Sequence, residues 1–167
     1  MTICADGKRL IPGGAGNLPQ RTLGTRRFRR YCDRMSKATK LLHTRYRVND
    51  LERTVEFYRE ILGLEEIRRH KSPRGSELVF LKAPQSEELI EITYFPGSGL
   101  VQVQADLTHL AFEVESLDEF ERHLTRHGLK YSDGPTTSGT GTVFAFIDAP
   151  EGYEIELIQK AKGGAGF

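Results

Sequence analysis

The chain contains an internal repeat, and this repeat limits the possible folds more than any other feature of the sequence. Residues 40–95 begin with a strand-like run, continue through an amphipathic helix that ends at Gly63, and finish in three further strand-like runs. Residues 106–160 follow the same order, and Gly128 ends their helix. The sequence therefore predicts an α+β fold built from two paired βαβββ modules.

Local signals indicate where the elements of each module begin and end. Asp50 is placed to cap the first helix, and Ser116 with Glu119 forms a capping box at the second. In the second module the stretch GPTTSGTG, residues 134–141, is rich in glycine and is interpreted as a loop before the strand TVFAFID. The turn APEGY then leads to the last strand, EIELIQK.

A carboxylate interrupts an otherwise apolar strand in the first module. The run LIEITYF has the composition of a strand, and alternation places Glu91 on a mostly apolar face with Leu89, Thr93 and Phe95. An unpaired charge there would be costly. Glu91 therefore either reaches water at a sheet edge or meets a positive partner in a cavity.

Both modules carry a histidine in the first strand and a glutamate in the last. His43 and His109 are 66 residues apart, and Glu91 and Glu156 are 65 apart, so both pairs fall at matching places of the repeat. Each residue alone has an ordinary structural explanation. Together, two imidazoles and two carboxylates that converge in a cavity would bind a divalent metal, and the cation would supply the charge that Glu91 needs.

The first 38 residues differ in charge from the rest of the chain. They carry a net charge of +7, whereas residues 39–167 carry −6, so the body does not resemble a nucleic-acid binder. Residues 1–38 also show no hydrophobic period, which predicts a disordered basic extension before one folded domain over residues 39–167. A chain that begins at Met35 is expected to keep its stability and its activity.

Several other classes of protein and site are disfavoured. Both cysteines, Cys4 and Cys32, precede the body, which therefore has no thiol to form a disulfide, bind metal or act as a nucleophile. The sequence has no apolar run typical of a membrane span or a secretory signal, so we expect a cytoplasmic protein that does not bind membranes. His123 and His127 have a spacing that can bind metal, but a histidine at a helix C-terminus explains His127 more simply.

Four stretches of the body together resemble a known family. HTRYRVNDLERTVEFYREILGLE, LIEITY, LTHLAFEVESLDEFERHL and DAPEGYEIELI are similar to the glyoxalase I branch of the vicinal oxygen chelate superfamily. The resemblance implies that the modules pair as half-open barrel sheets around one divalent metal per site, Ni²⁺ or Zn²⁺, with Co²⁺ also suitable. By position, the implied ligands are His43, Glu91, His109 and Glu156.

The resemblance also implies a reaction and its alternatives. It predicts a lactoylglutathione lyase-like isomerisation of the hemithioacetal of a 2-oxoaldehyde such as methylglyoxal to a 2-hydroxyacyl thioester, as in methylglyoxal detoxification. Glu156 is expected to be the main acid and base, with Glu91 opposite it. A methylmalonyl-CoA epimerase-like enzyme and a non-catalytic small-molecule-binding protein of the superfamily are the alternatives.

Substrate binding and assembly are further implications of the resemblance. Arg47 keeps an arginine typical of glutathione-using members, but Phe95 replaces a usual asparagine, and TTSGTG replaces a loop with Lys-Gly. These departures predict weaker use of glutathione, with another small thiol preferred. Family dimers combine one module from each chain at each site, so a homodimer is expected, although one chain could instead pair its own two modules.

Overall fold

The computed structural model describes residues 37–161, which from Leu41 onward belong to one compact unit. The first module comprises β1 (His43–Val48), α1 (Leu51–Glu60), β2 (Glu65–Lys71), β3 (Glu77–Lys82) and β4 (Leu89–Tyr94). A short 3₁₀ turn, Pro96–Ser98, follows it. The second module comprises β5 (His109–Glu113), α2 (Leu117–Arg126), β6 (Asp133–Thr137), β7 (Val143–Asp148) and β8 (Glu154–Gln159).

Each module forms one open four-stranded sheet, and the two sheets have the same topology. The strand orders are β1-β4-β3-β2 and β5-β8-β7-β6. In both sheets the first and last strands of the module pair in parallel, and the other neighbours are antiparallel. Each helix packs against the two central strands of its own sheet. The predicted α+β fold of two βαβββ modules is therefore confirmed.

Capping side chains and apolar stripes explain the two helices. The Asp50 carboxylate accepts a hydrogen bond from the backbone N–H of Arg53, and the Ser116 hydroxyl accepts one from that of Glu119. These bonds satisfy donors that the first helical turn cannot pair internally. The buried residues of α1 recur at helical spacing: Leu51, Thr54, Val55 and Tyr58.

Strand β4 is buried on both of its faces. Ile90 and Ile92 belong to the hydrophobic core, as alternation predicts. Glu91 and Thr93 lie on the opposite face and are nevertheless only 6% and 0% exposed. Because β4 is a central strand, Glu91 does not reach water at a sheet edge, and its charge must be balanced by groups on the sheet face.

Glu151 in the turn between β7 and β8 joins the second module to the start of α1. One carboxylate oxygen accepts hydrogen bonds from the backbone N–H groups of Asn49 and Asp50, at 3.1 and 3.3 Å. The other oxygen accepts a 2.8 Å bond from the hydroxyl of Thr54. A carboxylate at a helix N-terminus is also favoured by the helix dipole. Glu151 therefore fixes how the first module meets the second.

Two tyrosines form a second connection between the modules. The rings of Tyr46 on β1 and Tyr153 meet edge to face, with centroids 4.7 Å apart. The Tyr153 hydroxyl donates a 3.0 Å hydrogen bond to the backbone carbonyl of Arg47. Burial raises the pKa of both tyrosines, so both hydroxyls stay protonated at neutral pH. The first strand of module one is thus held by the last hairpin of module two.

The interpretation of residues 134–141 as a loop is wrong in its first half. Strand β6 covers Asp133–Thr137, and only residues 138–141 of that stretch lie outside it. Gly134 and Pro135 are poor residues for a central strand, but β6 is an edge strand whose pairing with β7 shifts register between Asp133 and Thr136. An edge strand with a bulge accommodates a residue that has no N–H.

Two expectations concern parts of the chain beyond the sheets. Apart from its last two residues, the predicted disordered extension over residues 1–38 lies outside the described residues. Within residues 37–161, no helix has both the length and the apolar character needed to cross a membrane.

Replacing Glu151 by alanine is expected to destabilise the protein by about 1–3 kcal/mol, because three donors at the start of α1 lose their acceptor. Urea unfolding followed by circular dichroism measures this change. Glu88→Ala, which removes an exposed carboxylate, is the control and should stay within about 0.5 kcal/mol of wild type. Equal unfolding midpoints for the two variants would contradict the role given to Glu151.

Candidate metal centre

The first module brings His43 and Glu91 together on one face of its sheet. In the parallel pairing of β1 with β4, His43 lies opposite Leu89, two residues before Glu91. Side chains two residues apart share a face of a strand. The Nε2 atom of His43 lies 3.2 Å from Oε2 of Glu91. We call this pair the first half-site.

The second module repeats the arrangement with His109 and Glu156. His109 lies opposite Glu154 in the parallel pairing of β5 with β8, two residues before Glu156. The Nε2 atom of His109 lies 3.4 Å from Oε2 of Glu156. This pair is the second half-site, and the match follows from the same strand pairing in both modules.

A phenylalanine on the third strand of each module supports the histidine. The ring of Phe80 meets that of His43 edge to face at 5.7 Å, and the ring of Phe146 meets that of His109 in the same way at 6.0 Å. Sequence reasoning missed both aromatic residues. The repeat carried the signal, because each phenylalanine follows the histidine of its module by 37 residues.

Sequence reasoning also missed two groups that balance the charge of Glu91. Its Oε1 atom accepts a 2.7 Å hydrogen bond from the Thr93 hydroxyl and lies 3.4 Å from Nε of Arg45. Both residues could be placed on the face of Glu91 by alternation, but their contact with its carboxylate depends on the register between β1 and β4. The negative charge of Glu91 is therefore balanced by Thr93 and Arg45 as well as by His43.

The faces that carry the two half-sites differ in charge. Across the first sheet, the register aligns Arg45, Glu91, Phe80 and Arg68. Across the second sheet, the corresponding positions are Ala111, Glu156, Phe146 and Asp133. The guanidinium of Arg68 lies 4.0 Å above the ring of Phe80, a cation–π contact. At these four positions the first face thus has two cations, whereas the second has none and carries an additional carboxylate.

The donor atoms of each half-site fit a divalent metal. Ligand atoms about 2.0–2.2 Å from a zinc-like ion, at angles from a right angle to a tetrahedral one, lie about 2.8–3.6 Å from each other. The N–O distances of 3.2 and 3.4 Å fall in this range. Imidazole nitrogen and carboxylate oxygen are donors that zinc, nickel and cobalt accept. Each half-site thus has the spacing of two ligands on one ion.

The two half-sites do not form one cluster within the described chain. Residues 37–161 contain no group of three or more His, Cys, Asp or Glu side chains arranged to hold a metal ion. The structure therefore brings together His43 with Glu91, and His109 with Glu156, but not all four. A complete four-ligand site would form only where a first half-site meets a second half-site.

The two predicted substrate-binding residues lie at the same turn. Arg47 is on the His43 face of β1, and its guanidinium donates to the backbone carbonyls of Ser98 and Gly99 at 3.2 and 2.8 Å. Phe95 precedes the 3₁₀ turn, and a Cβ added to Gly97 would lie 3.2 Å from its ring. Arg47 and Phe95 together shape the turn at the end of β4.

The helical histidines lie away from the half-sites. The rings of His123 and His127 are 4.7 Å apart, and Nε2 of His123 lies 3.1 Å from the backbone carbonyl of Glu60. His127 is the C-cap residue of α2, as expected for a histidine that stabilises a helix C-terminus. Their contacts give them structural roles at the boundary between the modules.

Comparison of sequences relates this chain to known proteins. Residues 40–157 match the family model described as the Glyoxalase/Bleomycin resistance protein/Dioxygenase superfamily. The chain is 36% identical over 133 residues to a lactoylglutathione lyase of Escherichia coli O157:H7, covering 77% of this chain and 98% of that protein. It is 34% identical over 129 residues to a lactoylglutathione lyase of Neisseria meningitidis serogroup A, covering 74% and 93%.

Solved structures show the same relationship. The trypanothione-dependent glyoxalase I of Leishmania major is 32% identical and has a TM-score of 0.62, covering 73% of this chain and 87% of that chain. Glyoxalase I of Zea mays is 31% identical and has a TM-score of 0.64, covering 73% of this chain and 45% of that chain. Both sequence identities exceed 30%, so each relationship extends beyond a shared fold.

Proposed function

The chain belongs to the glyoxalase I, or lactoylglutathione lyase, branch of the Glyoxalase/Bleomycin resistance protein/Dioxygenase superfamily, and we propose that it isomerises the hemithioacetal of a 2-oxoaldehyde and a thiol to a 2-hydroxyacyl thioester. Methylglyoxal is the proposed aldehyde. The observation that carries the proposal is the pair of matching half-sites, each with its imidazole and carboxylate within 3.4 Å of each other. They provide metal ligands and a base on adjoining strands.

The proposed cofactor is one divalent metal per site, held by His43, Glu91, His109 and Glu156. Ni²⁺ or Zn²⁺ is preferred, and Co²⁺ also suits two nitrogen and two oxygen donors. A divalent cation held there would polarise the oxygens of the hemithioacetal and make its carbon-bound proton more acidic. Phe80 and Phe146 meet the two imidazoles edge to face and are placed to limit their rotation.

Glu156 is proposed as the main acid and base. Its side chain is 20% exposed, compared with 8% for Glu91. Oε1 of Glu91 is engaged by Thr93 and Arg45, which makes Glu91 the more restrained carboxylate. A base must reach the substrate carbon, take its proton and return it to the neighbouring carbon. The more accessible Glu156 suits this movement, and the restrained Glu91 suits the role of ligand opposite it.

We further propose a homodimer in which each site combines the first half-site of one chain with the second half-site of the other. The separation of the two half-sites within one chain supports this arrangement. The opposite charges of the two faces support it as well, because Arg68 and Asp133 occupy corresponding positions. In a twofold dimer, two such sites form together.

The thiol partner is proposed to be a small thiol that the protein binds at least as well as glutathione. Arg47 retains the arginine on the His43 face, with its guanidinium at the turn after β4, but Phe95 offers no side-chain amide to a peptide-like thiol. A relative of 32% identity is described as trypanothione-dependent, so the thiol varies within this family. Because the cytosol maintains a pool of reduced thiols, we also propose a cytoplasmic location.

The alternatives are less well supported. The curated relatives described above are lactoylglutathione lyases, which does not favour an epimerase acting on a CoA ester. A purely binding protein would not need two His–Glu pairs at matching positions of the repeat. The isomerase is therefore the function that the site supports best.

Replacing Glu156 by glutamine is expected to slow turnover at least about a hundredfold, because the amide cannot accept the proton. Metal content, measured on the same sample, should stay close to that of wild type. Glu154→Gln is the matched control, since Glu154 lies two residues earlier on the same face of β8, and its rate should stay within about threefold of wild type. Near-normal turnover by Glu156→Gln would refute the assignment.

Mixing His43→Ala with Glu156→Gln tests whether sites are shared between chains. Each variant alone should be nearly inactive. A mixed dimer has one site that carries both substitutions and one site that carries neither, so random exchange should restore about a quarter of the wild-type activity. Native mass spectrometry confirms that mixed dimers form. Mixed dimers without recovered activity would show that each site belongs to one chain.

A panel of thiols incubated with methylglyoxal and the metal-loaded protein tests the choice of thiol, with thioester formation followed by absorbance. Another small thiol is expected to give a higher kcat/KM than glutathione.

Phe95→Asn should lower the KM for the glutathione hemithioacetal about tenfold, by adding a polar contact. Efficient turnover of glutathione by wild type would contradict the prediction, and epimerisation of methylmalonyl-CoA alone would support the alternative enzyme.

A further inference from the structure

Arg45 contacts the same carboxylate that is proposed to bind metal. It lies directly opposite Glu91 in the β1–β4 register, with its Nε 3.4 Å from Oε1. That oxygen also accepts a hydrogen bond from the Thr93 hydroxyl, whereas Oε2 faces His43. The two oxygens of Glu91 therefore have different neighbours: one faces the imidazole, and the other faces a hydroxyl and a guanidinium.

The exposure of these groups shows that this is not an ordinary buried ion pair. The Arg45 side chain is 50% exposed, although the Glu91 side chain is only 8% exposed. The guanidinium therefore sits at the open side of the half-site. In the second module the register position beside Glu156 is Ala111, which brings no charge. A fixed cation thus accompanies one of the two proposed ligand carboxylates and not the other.

We propose that Arg45 offsets the charge of Glu91 and thereby weakens the binding of a divalent cation at the first half-site. This inference rests on the metal site of the proposed function. Like charges repel, and part of the negative charge of Glu91 is already compensated before a cation arrives. The Thr93 hydroxyl holds Oε1 without Arg45, so losing the arginine should not release the carboxylate from its orientation.

Two effects of removing Arg45 act in the same direction. In the metal-free protein, the nearly buried Glu91 loses its guanidinium partner, which destabilises that state. In the metal-bound protein, the cation no longer meets a like charge. Both effects favour the bound state over the free one. In the single chain Arg45 is half exposed and water screens part of its charge, so the expected change in affinity is about tenfold.

Arg45→Met tests the inference in the full-length chain. The metal-free protein is prepared with a chelator, and the affinity for Ni²⁺ and Zn²⁺ is measured by competition with a chromophoric chelator. Arg45→Met should bind each ion about tenfold more tightly than wild type and should gain more thermal stability on metal addition. Arg45→Lys keeps the charge and should stay within about threefold of wild type.

Two further variants make the test specific. Arg74→Met removes an equal charge from the exposed turn between β2 and β3, away from Glu91, so its affinity should change less than about twofold. Ala111→Arg introduces a guanidinium beside Glu156 and should weaken cation binding about tenfold. It also provides a test of the same charge effect if Arg45→Met does not fold.

The outcomes separate this inference from the proposed function. Unchanged or weaker cation binding by folded Arg45→Met would overturn the role of Arg45 and leave the metal site intact. An equal gain in Arg45→Met and Arg74→Met would also overturn it, because the effect would then be one of overall charge. If wild type bound neither ion, the proposed metal site itself would be refuted, and the role of Arg45 with it.

Discussion

The parallel pairing of the first and last strands in each module is the constraint on which the rest of the structure depends. A parallel pair requires a crossover, and in each module the helix and the two middle strands provide it. The pairing places a histidine near the start of one strand beside a glutamate in the other. A shift of one residue would turn the glutamate to the opposite face, into the hydrophobic core. The register therefore positions both half-sites.

Much of this architecture could be predicted because the repeat supplies each signal twice. The βαβββ order, the caps Asp50 and Ser116 and the four candidate ligands all follow from local pattern and from matching positions in the two copies. Strand β6 could not be recognised, because Gly134 and Pro135 are typical of turns and only the edge position and the irregular pairing make a strand there acceptable. Local pattern is a poor guide where tertiary context determines the structure.

The contacts around the proposed ligands could not be predicted from one strand alone, because they depend on the register between strands. Alternation places Arg45 on the His43 face, but its contact with Glu91 requires the register of a strand more than 40 residues away. The same holds for Phe80, which reaches His43 across β4.

The two half-sites are alike in their proposed ligands and in the phenylalanine beside each histidine, and they differ in the charge beside each carboxylate. This difference is consistent with the proposed roles, in which Glu91 is a restrained ligand and Glu156 is the main acid and base.

The stoichiometry of metal binding tests most directly the central claim that two half-sites complete one metal site. The measurement is equilibrium dialysis of the metal-free protein against Ni²⁺ or Zn²⁺ followed by elemental analysis, for wild type, His43→Ala and His109→Ala. The account predicts about one tightly bound ion per chain in wild type, and a marked loss of tight binding in both variants, because each removes one of four shared ligands. Two ions per wild-type chain, with one retained by each variant, would contradict it by showing that the half-sites bind metal independently.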